Sequence, residues 1–177
     1  MSATDGLDWL AVPALAPELA EPLGISLARM DPWVTLGSSA ESLARGLQTS
    51  HPDLTRHLAL RQGELLGLAA VRAPWLRGAY IELFAVLPSA QGRGIGSTLM
   101  RHVEAHYGGH AANLWLLVSA FNHRARQFYA RQGFCPIGTL DDLVIRGQDE
   151  ILMRKRLESG SERRSSRLPA VSSPDAR

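Results

Sequence analysis

The sequence predicts a mixed α+β fold: α/β layers in which helices flank a central, mostly antiparallel sheet. Three observations carry this. The run Tyr80 to Leu87 is apolar on both alternating faces, as in a strand buried from both sides. It ends at Pro88-Ser89 and passes through the glycine-dense turn Gln91-Gly92-Arg93-Gly94-Ile95-Gly96 into helical spacing, with Ile95, Leu99 and Val103 on one stripe. Ahead of it, Thr55–Arg61 and Leu65–Arg72 flank Gln62-Gly63-Glu64, a hairpin signal.

The remaining elements follow in order. Asp8–Ala14 alternates loosely and reads as a first strand, after a frayed terminus. Leu19, Leu23 and Leu27 stand at i, i+4, i+8 and predict a helix over Pro17–Arg29, broken at Asp31-Pro32-Trp33. Ser38 or Ser39 caps a second helix to about Thr49, stopped by His51-Pro52-Asp53. A turn at Pro74–Gly78 leads into the Tyr80 strand, and Gly108-Gly109 ends the helix that follows it. Asn113–Val118 is a buried strand, Asn122 caps a short helix through Gln132, and Gly133 ends that helix. Cys135–Ile145 and Glu150–Arg156 close the chain as paired strands. The predicted order is β-α-α-β-β-β-α-β-α-β-β, one domain over residues 1–157. Residues 158–177, rich in Ser, Arg and Pro without periodicity, are expected to be a disordered tail.

Composition excludes several classes. With 45% hydrophobic residues, the 177-residue chain has the material for a full core. Four arginines against three acids leave segment 158–177 at +1 and residues 1–157 at +1, so no basic face and no nucleic-acid partner is implied. The charge-free run Asn113–Asn122 is too short to span a membrane, and the opening MSATDGLDWL has no cationic n-region. The single cysteine, Cys135, cannot form an internal disulfide. A cytoplasmic location is therefore expected.

Strand, glycine turn and helix start together present free backbone N–H groups to an anion, so a phosphate-bearing ligand is expected there. It is not a P-loop, because the only lysine is Lys155. Nor is it a GxGxxG fingerprint, because Gly96 and Ser97 put the third glycine out of place. Instead QGRGIG, followed some thirty residues on by FNHRARQFYARQGF, resembles the GNAT superfamily of acyl-CoA-dependent N-acyltransferases. Its Q/R-x-x-G-x-G/A signature is matched by Gln91, Gly94 and Gly96, and the resemblance spans roughly Thr55 to Leu157.

That resemblance implies acetyl-CoA as acyl donor and no metal. It also implies splayed, parallel central strands, Tyr80–Leu87 and Asn113–Val118, that admit the pantetheine arm. The residues agree physically: amides of Gly92, Arg93, Gly94, Ile95, Gly96 and Ser97 can cradle a pyrophosphate, with a charge-assisted contact from Arg93. The backbone of Phe84, Ala85 and Val86 matches the family strand that pairs with the pantetheine amides. Tyr129 matches the family tyrosine that protonates the departing thiolate, and is otherwise a core aromatic beside Phe128. Asn122 matches a position contacting the cofactor arm, and is equally explained as a helix cap.

Glu82 is read as sharing a strand face with Tyr80, Phe84 and Val86. Apolar neighbours there would raise its pKa and suit it as the general base; a solvated, salt-bridged glutamate is the alternative. Leu117 stands where some N-terminal acetyltransferases of the family place a base. His102 and His106 lie off the apolar stripe and are expected in solvent rather than on a metal, and Cys135 is expected as a small core residue. Trp33 either lines the acceptor pocket or packs. The expected activity is acetyl transfer to a primary amine of a small molecule or peptide. A catalytically silent CoA-binding module is the rival, and a homodimer is left open.

Overall fold

A computed structural model describes residues 6–157, so residues 1–5 and the tail expected over 158–177 lie outside the described residues. In chain order the elements are β1 (Asp8–Val12), α1 (Pro17–Leu27), α2 (Ala40–Gln48), β2 (Leu54–Arg61), β3 (Glu64–Trp75), β4 (Gly78–Val86), a 3-10 turn (Pro88–Ala90), α3 (Ile95–Tyr107), β5 (Asn113–Ser119), α4 (His123–Arg131), β6 (Cys135–Ile145) and β7 (Gln148–Arg156). The order is the one the sequence predicts. The strands form one seven-stranded sheet, β1-β2-β3-β4-β5-β7-β6. Among its pairings, β4–β5 is parallel and the others antiparallel.

Two apolar clusters cover the two faces. The larger joins the α3 stripe, Ile95, Leu99 and Val103, to Val71, Ile81, Leu114, Leu116, Tyr129 and Phe134. The other packs Leu23 and Leu27 of α1 and Leu47 of α2 on Leu58, Leu65, Leu68 and Ala85. Ser39 caps α2 by accepting from Ser42 N at 3.1 Å. Arg56, buried in β2, anchors the helix pair: its guanidinium donates to Pro13 O, and to Gly46 O and Thr49 O at 2.7 and 2.9 Å. A buried cation is tolerated here because three backbone carbonyls receive its protons.

The central joint sets up everything functional. Parallel pairing between β4 and β5 covers only Gly78–Ile81 against Asn113–Leu116, after which the strands diverge. Gly78 permits the closed end: a Cβ there would stand 2.1 Å from Asn113 O. Asn113 Nδ2 donating to Arg77 O at 3.3 Å, and Trp115 Nε1 to Leu76 O at 3.2 Å, tie that end further. A β-bulge lies where the strands part. Ile81 pairs with Val71 and Leu83 with Ala70, which leaves Glu82 as an extra residue in β4.

Three expectations are corrected. The bulge breaks the two-residue alternation, so Ile81 and Phe84 both meet the α3-side cluster while Leu83 and Ala85 meet the other; Glu82 does not share a face with Phe84 and Val86. Cys135 is exposed rather than in the core, because β6 is the outer edge strand and is exposed along its length. His102 is half-buried, stacked on Trp9 of β1 with ring centroids 4.1 Å apart, a contact between distant segments that helical spacing does not reveal. His106 is exposed as expected. No group of three or more His, Cys, Asp or Glu side chains among the described residues could hold a metal ion. No described helix is long and apolar enough to cross a membrane.

Beneath those histidines lies His57, fully buried, with Nε2 3.2 Å from Tyr107 Oη. Burial first, then the neighbouring His106 and His102, push its pKa from 6.5 down to about 4. The unfolded chain therefore binds the extra proton between those values. Stability from the neutral ring is complete above the unfolded value and is lost as pH falls toward the folded one. Urea unfolding measured from pH 7 down to pH 4 should show a loss of up to about 3 kcal/mol across this window. A His57→Gln variant should flatten that slope; an unchanged slope would place the acid sensitivity elsewhere.

Candidate active site

The divergence of β4 from β5 opens a cleft of about 640 Å³. Its lining includes Phe84, Ala85 and Val86 of β4, the turn residues Gln91, Gly92 and Gly94, the α3 start Ile95, Gly96 and Ser97, and Asn122, Phe128 and Tyr129 at α4. Most of the residues singled out in the sequence thus meet in one place. Arg93 is exposed and is not among the lining residues, and neither is Glu82.

One end of the cleft is an anion cradle. Gly94, at φ +80°, is the N-cap of α3 and brings no side-chain cap. Thr98 N donates to Gly94 O at 3.1 Å as the first helical bond, so the amides from Gly94 to Ser97 precede the helical ladder and point out of its start. Gln91 Nε2 holds the turn against the strand by donating to Val86 O at 3.0 Å. Gln132 Nε2 donates to Ser97 Oγ at 3.1 Å and ties the far end of α4 to the cradle. Arg124 and Arg131 also line the cleft, both exposed. Sequence reasoning missed them, although Arg124, Phe128 and Arg131 at i, i+4, i+7 share one helical stripe.

The strand walls fit a linear amide-bearing arm. Beyond Ile81, the β5-facing edge of β4 has no strand beside it, and its backbone polar groups need partners. Phe84 lies against Phe128, ring centroids 5.7 Å apart, and edge-on to Tyr129 at 6.2 Å. Tyr129 is 8% exposed. Burial, then the neighbouring Tyr80, drives its phenol pKa above the ordinary 10, so it stays protonated at neutral pH. Tyr80 is itself pushed up to about 12, by burial first and then by Glu82 and Glu150. Asn122 acts as a cap, accepting from Ala125 N at 3.1 Å, at the rim of the same cleft.

Glu82 stands in a different setting from the one expected. It is exposed and its carboxylate accepts from Arg72 Nε, while Arg72 Nη1 lies 3.0 Å from His51 Nδ1. Trp33, with Met30 and Asp31, lines the cleft from the α1–α2 connection.

The amides, glycines and flanking arginines fit a pyrophosphate, and the open strand edge fits a pantetheine arm, so acetyl-CoA suits this cleft. Gly94→Val forces a β-branched side chain into left-handed backbone and should weaken acetyl-CoA binding at least tenfold by calorimetry. Arg124→Ala/Arg131→Ala should also weaken it, and should reduce the dependence of affinity on salt. A double variant with wild-type salt dependence would show that these arginines do not meet the phosphates.

Comparison with known proteins agrees with this geometry. Residues 25–134 match the model of the acetyltransferase (GNAT) family. The chain is 41% identical over 88 residues to streptothricin acetyltransferase of Streptomyces lavendulae, a match covering 48% of this chain and 46% of that enzyme. It is 30% identical over 139 residues to an uncharacterised N-acetyltransferase of Mycobacterium bovis, covering 77% and 86% of the two chains. Among solved structures, nourseothricin acetyltransferase superposes with TM-score 0.56 and 27% identity over 63% of this chain and 70% of that one. A GNAT acetyltransferase of Elizabethkingia anophelis with acetyl-CoA bound shares the fold, with TM-score 0.66 and 19% identity over 86% and 99%. Signature turn, splayed strands and family match converge: this chain belongs to the GNAT family of acetyl-CoA-dependent N-acetyltransferases.

Proposed function

We propose that the protein transfers the acetyl group of acetyl-CoA to a primary amine of a small cationic molecule by direct attack, with Tyr129 as general acid. The observation that carries this is the continuous path through the cleft. The amides of Gly94–Ser97 lie at one end, the unpaired edge of β4 runs along it, and the protonated phenol of Tyr129 stands in its wall.

The donor contributes an activated thioester. Protein residues contribute placement: the cradle fixes the phosphates and the β4 edge aligns the arm, so the thioester presents one face to the incoming amine. Tyr129 then donates its proton to the departing sulfur. A phenol suffices because a thiolate is a good leaving group.

The cationic acceptor rests on the other sheet face. Tyr80 lies 4.8 Å from Trp75 between ring centroids, Trp115 is edge-on to Trp75 at 5.7 Å, and Glu82 and Glu150 bear on Tyr80. Arg154 stands 5.6 Å over the Trp115 ring and Arg72 pairs with Glu82, so this face already receives cations from the chain itself, the chemistry a cationic acceptor would meet there. The name of the Streptomyces relative points toward streptothricin, although the match spans about half of that enzyme.

The test is thiol release with mass detection over streptothricin, polyamines, aminoglycosides and peptides with free N-termini. A gain of one acetyl group on a cationic small molecule is expected. Acetyl-CoA binding without turnover on any amine would return the chain to a CoA-binding module. Tyr129→Phe should lower kcat about a hundredfold while leaving acetyl-CoA affinity within about twofold. An unchanged kcat would remove the acid assignment.

A further inference from the structure

Glu150 has no proton-transfer role in the scheme above, yet it is a buried acid joined to the rim of the cleft through Ser119, whose carbonyl accepts from Asn122 N at 2.9 Å. Glu150 is 4% exposed, lies in β7 opposite Ser119 at the end of β5, and accepts from Ser119 Oγ at 2.6 Å. Ala120 N donates to Asp149 O at 2.8 Å, which pins the start of β7 to the end of β5. Ser119 alternates with Val118, which packs in the α3-side cluster; Ser119, Glu150 and Trp115 therefore share the opposite face. Tyr80 reaches the same neighbourhood from β4 and is influenced by Glu150, and Tyr129 is influenced by Tyr80. Tyr80, opposite Trp115 at the joint, thus shares with Ser119 and Glu150 the sheet face next to the point where the strands part.

Burying a carboxylate against one neutral hydroxyl costs stability, and such a group beside a cleft has the setting of a working acid or base. Glu82 does not line the cleft and its carboxylate is taken up in an ion pair with Arg72. Burial pushes the Glu150 carboxyl above its ordinary range, opposed by the Ser119 hydrogen bond. Burial and Ser119 of β5 act on its ionisation; Tyr80 of β4 feels its charge, Leu140 faces it from β6, and Arg154, further along the same face of β7, lies 5.6 Å over the Trp115 ring.

We propose that Glu150, oriented by Ser119, is the base that takes the proton from the acceptor's ammonium group. This rests on the acetyltransferase reading. The carboxylate takes one proton from the ammonium, giving a neutral amine and a carboxylic acid. The amine lone pair forms the N–C bond to the thioester carbonyl, and the C–S bond breaks with its electron pair on sulfur. Sulfur takes the Tyr129 proton, Tyr129 recovers one from the newly acylated nitrogen, and Glu150 returns its proton to solvent. One acetyl group moves and one proton is released.

The experiment compares wild type, Glu150→Gln and Ser119→Ala on the best amine of the panel, with kcat followed against pH and acetyl-CoA affinity measured by calorimetry. Glu150→Gln should lose about a hundredfold or more in kcat. Ser119→Ala removes a hydrogen bond to the charged form and should move the acid limb of kcat to higher pH. Both should bind acetyl-CoA as wild type does. If Glu150→Gln does not fold, the limb shift in Ser119→Ala decides alone. A Glu150→Gln enzyme within twofold of wild type, or an unmoved limb in Ser119→Ala, overturns the assignment of Glu150 alone. Absence of turnover by the wild type on every amine overturns the acetyltransferase reading and this assignment together.

Discussion

Everything in the cleft depends on a parallel ladder that stops after Gly78–Ile81 and Asn113–Leu116. Had pairing continued, the outer edge of β4 would be satisfied by β5 and no slot would exist. Two local features prevent this. At the closed end Gly78 lets the strands approach to a distance that any Cβ would forbid. At the open end the extra residue at Glu82 breaks the register of β4 and adds local twist. The strands are held tightly at one end and released at the other, leaving backbone amides and carbonyls in need of partners.

Helix α4 then serves both halves of the cleft. One stripe carries Arg124, Phe128 and Arg131 along the phosphate end, while Tyr129, the next residue round the helix, is buried against Phe84 and Phe134. Its entry is set by the Asn122 cap and its exit by Gln132 on Ser97. The charges therefore stay in solvent at the cleft's mouth. The phenol stays where low polarity keeps it protonated. One turn of helix separates the exposed charges from the buried phenol.

The sequence made the fold legible because its strongest signals are local. Strand, glycine turn and helix between Tyr80 and Tyr107, the Gln62-Gly63-Glu64 hairpin and the Ser39 cap depend on neighbouring residues, and each is in the structure. What escaped the sequence depends on distant partners. The bulge at Glu82 arises from pairing with β3, and it removed the apolar setting expected for that acid. Glu150 reads as an ordinary polar residue beside the Gly147-Gln148-Asp149 turn until β5 sets Ser119 against it. His57 sits in a strand whose sequence gives no hint that Tyr107, His102 and His106 will enclose it. The aromatic cluster on the opposite face was hidden for the same reason, since Trp75, Tyr80 and Trp115 come from three separate strands.

The short joint also bears on how the chain assembles. Strands β2, β3 and β4 follow one another as a meander, and β6 and β7 form a hairpin, so each group closes only small loops. Joining the groups requires β5 to find β4 across the whole of α3, and only four residue pairs reward that closure. Such non-local pairing is the slow part of a folding reaction. The feature that makes room for a substrate is thus also the seam where two locally folded units meet, and where the finished sheet has the least backbone bonding holding it shut.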